Sequence, residues 1–462
     1  MNFGQRFFWI FAVLVLFLSN CNPTDPGSER WIYRLMGAGN YPSAQASVVA
    51  CGSDGTVYAA GQISFWNSSE VSDTLEVVAL TADGHERYRY HASTGFANGL
   101  ALDGDGNLYV AGGVSHYTGS ASDRFLVRSL DPTGAERWAY LHVGDSMGSG
   151  SGSSASSVVC GEDGNIYAAG SINGIFSVVS LTAGGEERWT YQPAGSNPLY
   201  STVAQSLLWG TDGNLYAGGT MTDTGWYQGN YQTFTSSSAA SLTPGGVERW
   251  IYRRTQPNGS SSYGSSLVQG TDGNLYLLCS FTRSTGSYQS MAGVASLTLE
   301  GQERWARDYA TSWNMYGSTG RALARSSDQG VYLGVYIPAD TVSETSRFSV
   351  VSLDAAGEQR WLYSHSQALA YPAGVLLTTG GDGNLYCAGD FSETGRFSVA
   401  SLGSAGGLRW VYQFATGLFG GPGAANCVAW GDGNVYAGGY ANGYNVGQYF
   451  MVVSLDAGSG AD

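Results

Sequence analysis

Asp103-Gly104-Asp105-Gly106-Asn107 has the opening of a calcium loop, in which alternate oxygen-bearing side chains surround the ion. Its twelfth position is Val114, where a bidentate glutamate would be needed, so no metal site is expected. His91, His142 and His365 recur at one place in separate repeats, too far apart to converge on a shared ion. Glu70 and Asp73 have the right groups for acid–base work on a glycosidic bond, but nothing in the sequence fixes the separation that such a pair requires. All 21 basic residues are arginine, which removes Schiff-base chemistry and any lysine general base. No motif calls for a cofactor, and the chain is not read as an enzyme.

The residues best suited to contact a partner are aromatic. The segment from Thr222 to Phe234 carries Trp226, Tyr227 and Tyr231, and another segment carries Tyr309, Trp313 and Tyr316. Phe65, Trp66, Tyr117, Tyr263 and Tyr444 lie in comparable stretches. Tyr and Trp supply rigid amphipathic area, while the Ser, Gly and Asn around them supply adaptable hydrogen bonds. Such segments suit a protein surface or the faces of sugar rings. The competing use of these aromatics is to pack each segment onto its own repeat.

A repeat must position them. Tyr167 in Asp163-Gly164-Asn165-Ile166-Tyr167 has counterparts at Tyr58, Tyr109, Tyr216, Tyr276, Tyr332, Tyr386 and Tyr436. In the third copy, residues 156–161 read as a first strand, Asp163-Gly164 as a tight turn and 165–170 as a second strand. Residues 176–181 form the third strand, and Arg188-Trp189-Thr190-Tyr191 the fourth. The period suits four-stranded propeller blades and is too long for simple solenoid coils. The expected fold is all-β, an eight-bladed propeller of antiparallel blades. Such sheets are apolar on both faces and must stack on neighbours. The recurring Trp31, Trp138, Trp189, Trp250, Trp305, Trp361 and Trp410, with Tyr88 substituting once, read as the packing residue between blades.

The last copy lacks an Arg-Trp strand, and Arg30-Trp31-Ile32-Tyr33 near the N-terminus supplies one. An N-terminal strand completing the last blade would close the ring and remove the exposed edges. In each blade the first and third turns are short and rich in Gly. The long segments, and with them the aromatics, therefore gather on the opposite face.

The formal net charge is −15, with no basic stripe to displace counterions, so nucleic acid is excluded as a partner. A polybasic membrane attachment is excluded for the same reason. Arg6 precedes an apolar run, Phe7 to Leu18, of signal-peptide length. Leu18-Ser19-Asn20-Cys21 resembles the lipobox of bacterial lipoproteins, which implies lipidation at Cys21; Asn20 departs from the small residue usual there. The expected organisation is a signal peptide at 1–20, a tether at 21–28, the propeller at 29–456 and a tail at 457–462. The expected product is a monomer held by lipid outward of the cytoplasmic membrane. Cys51, Cys160, Cys279, Cys387 and Cys427 show no zinc spacing and read as small core residues.

Asp105-Gly106-Asn107-Leu108-Tyr109 with Arg124-Phe125-Leu126-Val127-Arg128-Ser129-Leu130-Asp131 and Gly134-Ala135-Glu136-Arg137-Trp138 resembles the bacterial β-propeller (SBBP) repeat family, and part of it is similar to the PQQ-like repeat. The resemblance implies a scaffold or binding module. The adjacent cysteine pair with which PQQ-dependent dehydrogenases hold their cofactor is missing. Two alternatives stay open: a hydrolase or lyase acting on polysaccharide, and an envelope-assembly scaffold resembling the propeller lipoprotein of the outer-membrane barrel assembly machine.

Overall fold

The computed structural model describes residues 25–37, 43–67, 70–114, 124–142, 152–194, 202–227, 230–255, 262–284, 288–309, 319–337, 346–368, 376–390, 395–414, 422–443 and 447–458. They form eight sheets, each of four antiparallel strands. In the third blade the strands are Ser154–Cys160, Ile166–Ile172, Ile175–Leu181 and Glu187–Tyr191, in that order across the sheet. Six other blades repeat this order. The inner strands of successive blades touch all the way round, and that of the eighth blade, Gly423–Gly431, touches that of the first, Ser43–Cys51. The expected eight-bladed propeller is the fold.

The last blade is built from both ends of the chain. Its outer strand is Glu29–Met36, antiparallel to Gly447–Asp456. In the other blades a covalent turn joins the third and outer strands. Here Gly27 N–H donates to the Asp456 carbonyl at 2.8 Å, and Asp456 N–H donates to Ser28 at 3.0 Å. Gly27, with φ 78°, takes the place of the turn glycine. The folded body thus takes in Gly27 and Ser28, which the sequence assigned to the tether, and Ala457, which it assigned to the tail.

The apolar core lies between blades, as double-sided sheets require. Tyr167, Ala169, Phe176 and Val178 of the third blade, for example, share one buried cluster with Ala204, Leu207, Leu215, Ala217 and Met221 of the fourth.

Seven inner strands carry a register shift near the middle, for example between Ala155 and Ser157 and between Ala204 and Ser206. A bulge of this kind bends the strand and leaves its extra residue unpaired. It also sets the size of the residue opposite. Gly170 pairs with Ala155, and a Cβ on Gly170 would lie 2.0 Å from the Ser154 carbonyl oxygen. Gly61, Gly112, Gly219 and Gly439 face the same obstruction from Gln45, Phe96, Val203 and Ala424. In the fifth and sixth blades the roles are exchanged: Cys279 and Val335 fill the second strand, and their partners are Gly264 and Gly320.

Candidate functional site

One face of the ring is closed by near-identical turns. Asp163 accepts hydrogen bonds from Asn165 Nδ2 at 2.8 Å and from the Tyr167 hydroxyl at 2.6 Å. Arg188 reaches the same hydroxyl at 3.1 Å and Ser180 at 2.9 Å. The adjacent Trp189 donates to the Pro244 carbonyl in the third turn of the next blade at 3.1 Å. Asp212, Tyr216, Arg249 and Trp250 repeat the arrangement one blade further on. Burial and the bond to Asp163 push the Tyr167 phenol up to about 12. Partial burial works against ionisation of Asp163, but the bonds from Tyr167 and Asn165 outweigh it and hold the carboxyl below its usual range. A second set of bonds links neighbouring blades through their outer strands, with Tyr191 donating to Glu248 at 2.7 Å and Tyr412 to Glu29 at 2.7 Å. These polar groups satisfy one another, so this face is committed to holding blades together.

In the second blade the carboxylate comes from a different position. Asp103, at the end of the inner strand, accepts from Asn107 Nδ2 at 2.8 Å and from Tyr109 at 2.9 Å. The Asp103 carboxylate, which resembled the first ligand of a calcium loop, is therefore engaged in fixing the turn. The five cysteines among the described residues are free thiols, and burial pushes Cys51 and Cys160 up to about 12.

The opposite face carries the longer connections. The fourth blade extends its second and third strands into a ribbon, Leu215–Tyr227 paired with Asn230–Leu242. The sequence reading took residues 222–234 as an irregular segment; residues 222–227 and 230–234 continue the ladder instead, because their Thr, Tyr and Trp content favours extended pairing. Trp226 is the register partner of Tyr231, and Tyr227 that of Asn230. In the first blade Phe65 pairs with Ser72 and Trp66 with Val71, in a shorter ribbon.

The base of the long ribbon is fixed to the fifth blade. Thr220 Oγ1 donates to the Gly264 carbonyl at 3.3 Å, and the Ser237 and Ser262 hydroxyls lie 2.5 Å apart. Arg254 forms an ion pair with Asp308 and stacks 5.2 Å above the Phe281 ring. Sequence reasoning missed this junction; its signal was Ser237, at the position where five other blades place Phe125, Phe176, Phe348, Phe397 and Phe450. Tyr263 is next to it on the fifth inner strand, 49% exposed. Tyr309 is half-buried, and its hydroxyl donates to the Gly357 carbonyl of the sixth blade at 2.8 Å. Tyr117, Trp313, Tyr316, Tyr444 and Cys21 lie outside the described residues. The structure thus brings Tyr263 beside the root of the ribbon that carries Trp226, Tyr227 and Tyr231, and engages Tyr309 between blades.

No protein-family model and no curated protein matches the chain. Among solved structures the chain is similar to the Dos1 propeller, at 11% identity over 91% of this chain and 94% of that one, with a TM-score of 0.53. A PL25 ulvan lyase is 8% identical, over 79% of this chain and 94% of its own, with a TM-score of 0.49. At these identities the likeness is one of fold.

Proposed function

We propose that this protein is a binding module of the bacterial cell envelope, anchored by lipid at Cys21, which engages a protein or glycan through its ribbon-bearing face. The observation that carries the reading is the asymmetry of the two faces. On one, the turns repeat and their polar side chains bond to each other. On the other, the blades diverge in length and carry aromatic residues that the repeat does not require, such as Trp226 and Tyr231 at opposed positions. A scaffold that stays constant on one side and varies on the other is the usual setting for recognition. The proposed SBBP-type repeat supplies that scaffold.

The experiment is a screen of the full-length protein against a glycan array and, by carboxylate-directed cross-linking, against envelope proteins. Capture of a partner that is lost in Trp226→Ala/Tyr231→Ala supports the reading. Capture unaffected by changes on this face would move the site elsewhere.

A further inference from the structure

The inner strands surround the propeller axis, so a solvent-exposed side chain in the middle of one of them faces the axial channel. Their bulges free one residue from the ladder and so turn a side chain away from the blade. In the second and eighth blades that residue is spent on the neighbouring strand: Asn98 donates to the Ala155 carbonyl at 2.9 Å, and Asn426 to that of Ala46 at 3.2 Å. In three consecutive blades the corresponding stretch is used differently. Gln205 in the fourth and Arg321 in the sixth are the residues that the bulge frees, and both are exposed. In the fifth the bulge lies between Gly264 and Leu267, and Tyr263, paired with Ser280 near the start of the inner strand, is exposed just before it. None of these three side chains hydrogen-bonds to another described residue. Between them, Ser265 has a buried hydroxyl oxygen without a partner.

We infer that this arc is a binding site for an acidic sugar, entered from the ribbon-bearing face. The inference rests on the reading of that face as a recognition surface and names the chemistry of its ligand. A guanidinium offers paired N–H donors that match a carboxylate. The Gln205 amide can donate and accept, as vicinal hydroxyls require. Tyr263 offers a ring edge and face with a phenol at its tip, suited to the apolar side of a pyranose. In a chain of net charge −15, Arg321 has no carboxylate partner among the described residues.

The test is isothermal titration of the full-length protein with a glucuronic-acid tetrasaccharide and with its carboxyl-reduced, neutral counterpart. The acidic form should bind at least about tenfold more tightly, and Arg321→Gln should weaken it by about 10- to 100-fold, the scale of a lost charge-assisted hydrogen bond. Arg321→Lys should retain part of the preference for charge. Circular dichroism of each variant checks the fold, and Gln205→Ala is a second probe of the arc. Equal affinity for the two sugars, unchanged binding in Arg321→Gln, or no binding of either sugar would overturn the inference. If glycans or proteins still bind and depend on Trp226 and Tyr231, the axial site alone fails; if nothing binds the ribbon-bearing face, the broader reading fails with it.

Discussion

The indole of Trp189 lies so close over Gly246 that a Cβ there would come within 2.6 Å of its ring. Gly246 has φ 82° and belongs to the next blade, so a single contact demands a glycine twice over, for conformation and for space. Trp138 stands over Gly185, Trp250 over Gly301 and Trp361 over Gly406 in the same way. This pairing of an outer-strand tryptophan with the following turn is the joint between blades. Trp189→Ala is expected to cost about 3–5 kcal/mol in urea unfolding, because it removes a packed indole and its hydrogen bond to Pro244. A neutral result would dissolve the joint.

The bulge in the inner strand makes a second demand. Gly170→Ala would drive a Cβ to 2.0 Å from the Ser154 carbonyl, and backbone cannot yield as a flexible side chain does. Loss of soluble protein, or destabilisation by more than about 3 kcal/mol, is the expected outcome. Gly184→Ala serves as a comparison, since its Cβ would meet only the Thr182 hydroxyl, at 3.6 Å, and φ there is not positive. Similar stability for the two variants would contradict the account of the bulge.

Glu76 and His91 occupy the positions that Leu126 and Leu141 hold one blade later. Glu76 is buried, one of its carboxylate oxygens has no partner, and burial raises its pKa despite the bond from His91. The His91 side chain is 52% exposed, so Glu76 alone bears the cost of burial, and replacing a poorly satisfied buried charge and its partner with apolar residues of suitable volume is often neutral or stabilising. Glu76→Leu/His91→Leu is therefore expected to keep or raise the urea midpoint at pH 7. A marked loss would show that the pair contributes more than its geometry indicates.

Asp163, Asp212, Asp272 and Asp382 are all held below the usual carboxylate range; partial burial opposes this, and bonds from the strand tyrosines and turn asparagines prevail. A carboxylate whose folded pKa is depressed adds stability above its unfolded value, and that stability is lost as pH falls through the folded one. The difference in unfolding midpoint between the native protein and Asp163→Asn should be full at pH 6 and shrink below about pH 4. A difference that is constant from pH 6 to pH 3 would refute the role of the charge.

The repeat made most of this fold legible, because every copy has the same tyrosine and nearly every copy the same turn and the same Arg-Trp. Even the closure could be read, since Arg30-Trp31 is a copy of a motif that the last blade lacks. Less legible was the reason for Gly61, Gly112 and Gly170. A bulge is a relation between two strands and leaves no residue type of its own, and the exchange at Cys279 and Gly264 shows only once they are paired. The candidate site was partly visible. Trp226 and Tyr231 stood out by type, but their opposition depends on a register that sequence spacing does not fix. Tyr309 was indistinguishable in sequence from a contact residue, and the Gly357 carbonyl gives it a place between blades.

The most direct measurement compares binding by the native protein, Trp226→Ala/Tyr231→Ala and Val247→Ser, all full-length, on the glycan array and against cross-linked envelope proteins. Val247, 65% exposed in a turn on the closed face, is the control. The account predicts that the ribbon variant loses its partner while its unfolding free energy stays within about 1 kcal/mol of native, and that the turn variant binds normally. Loss of binding in Val247→Ser with the ribbon variant unaffected would contradict it.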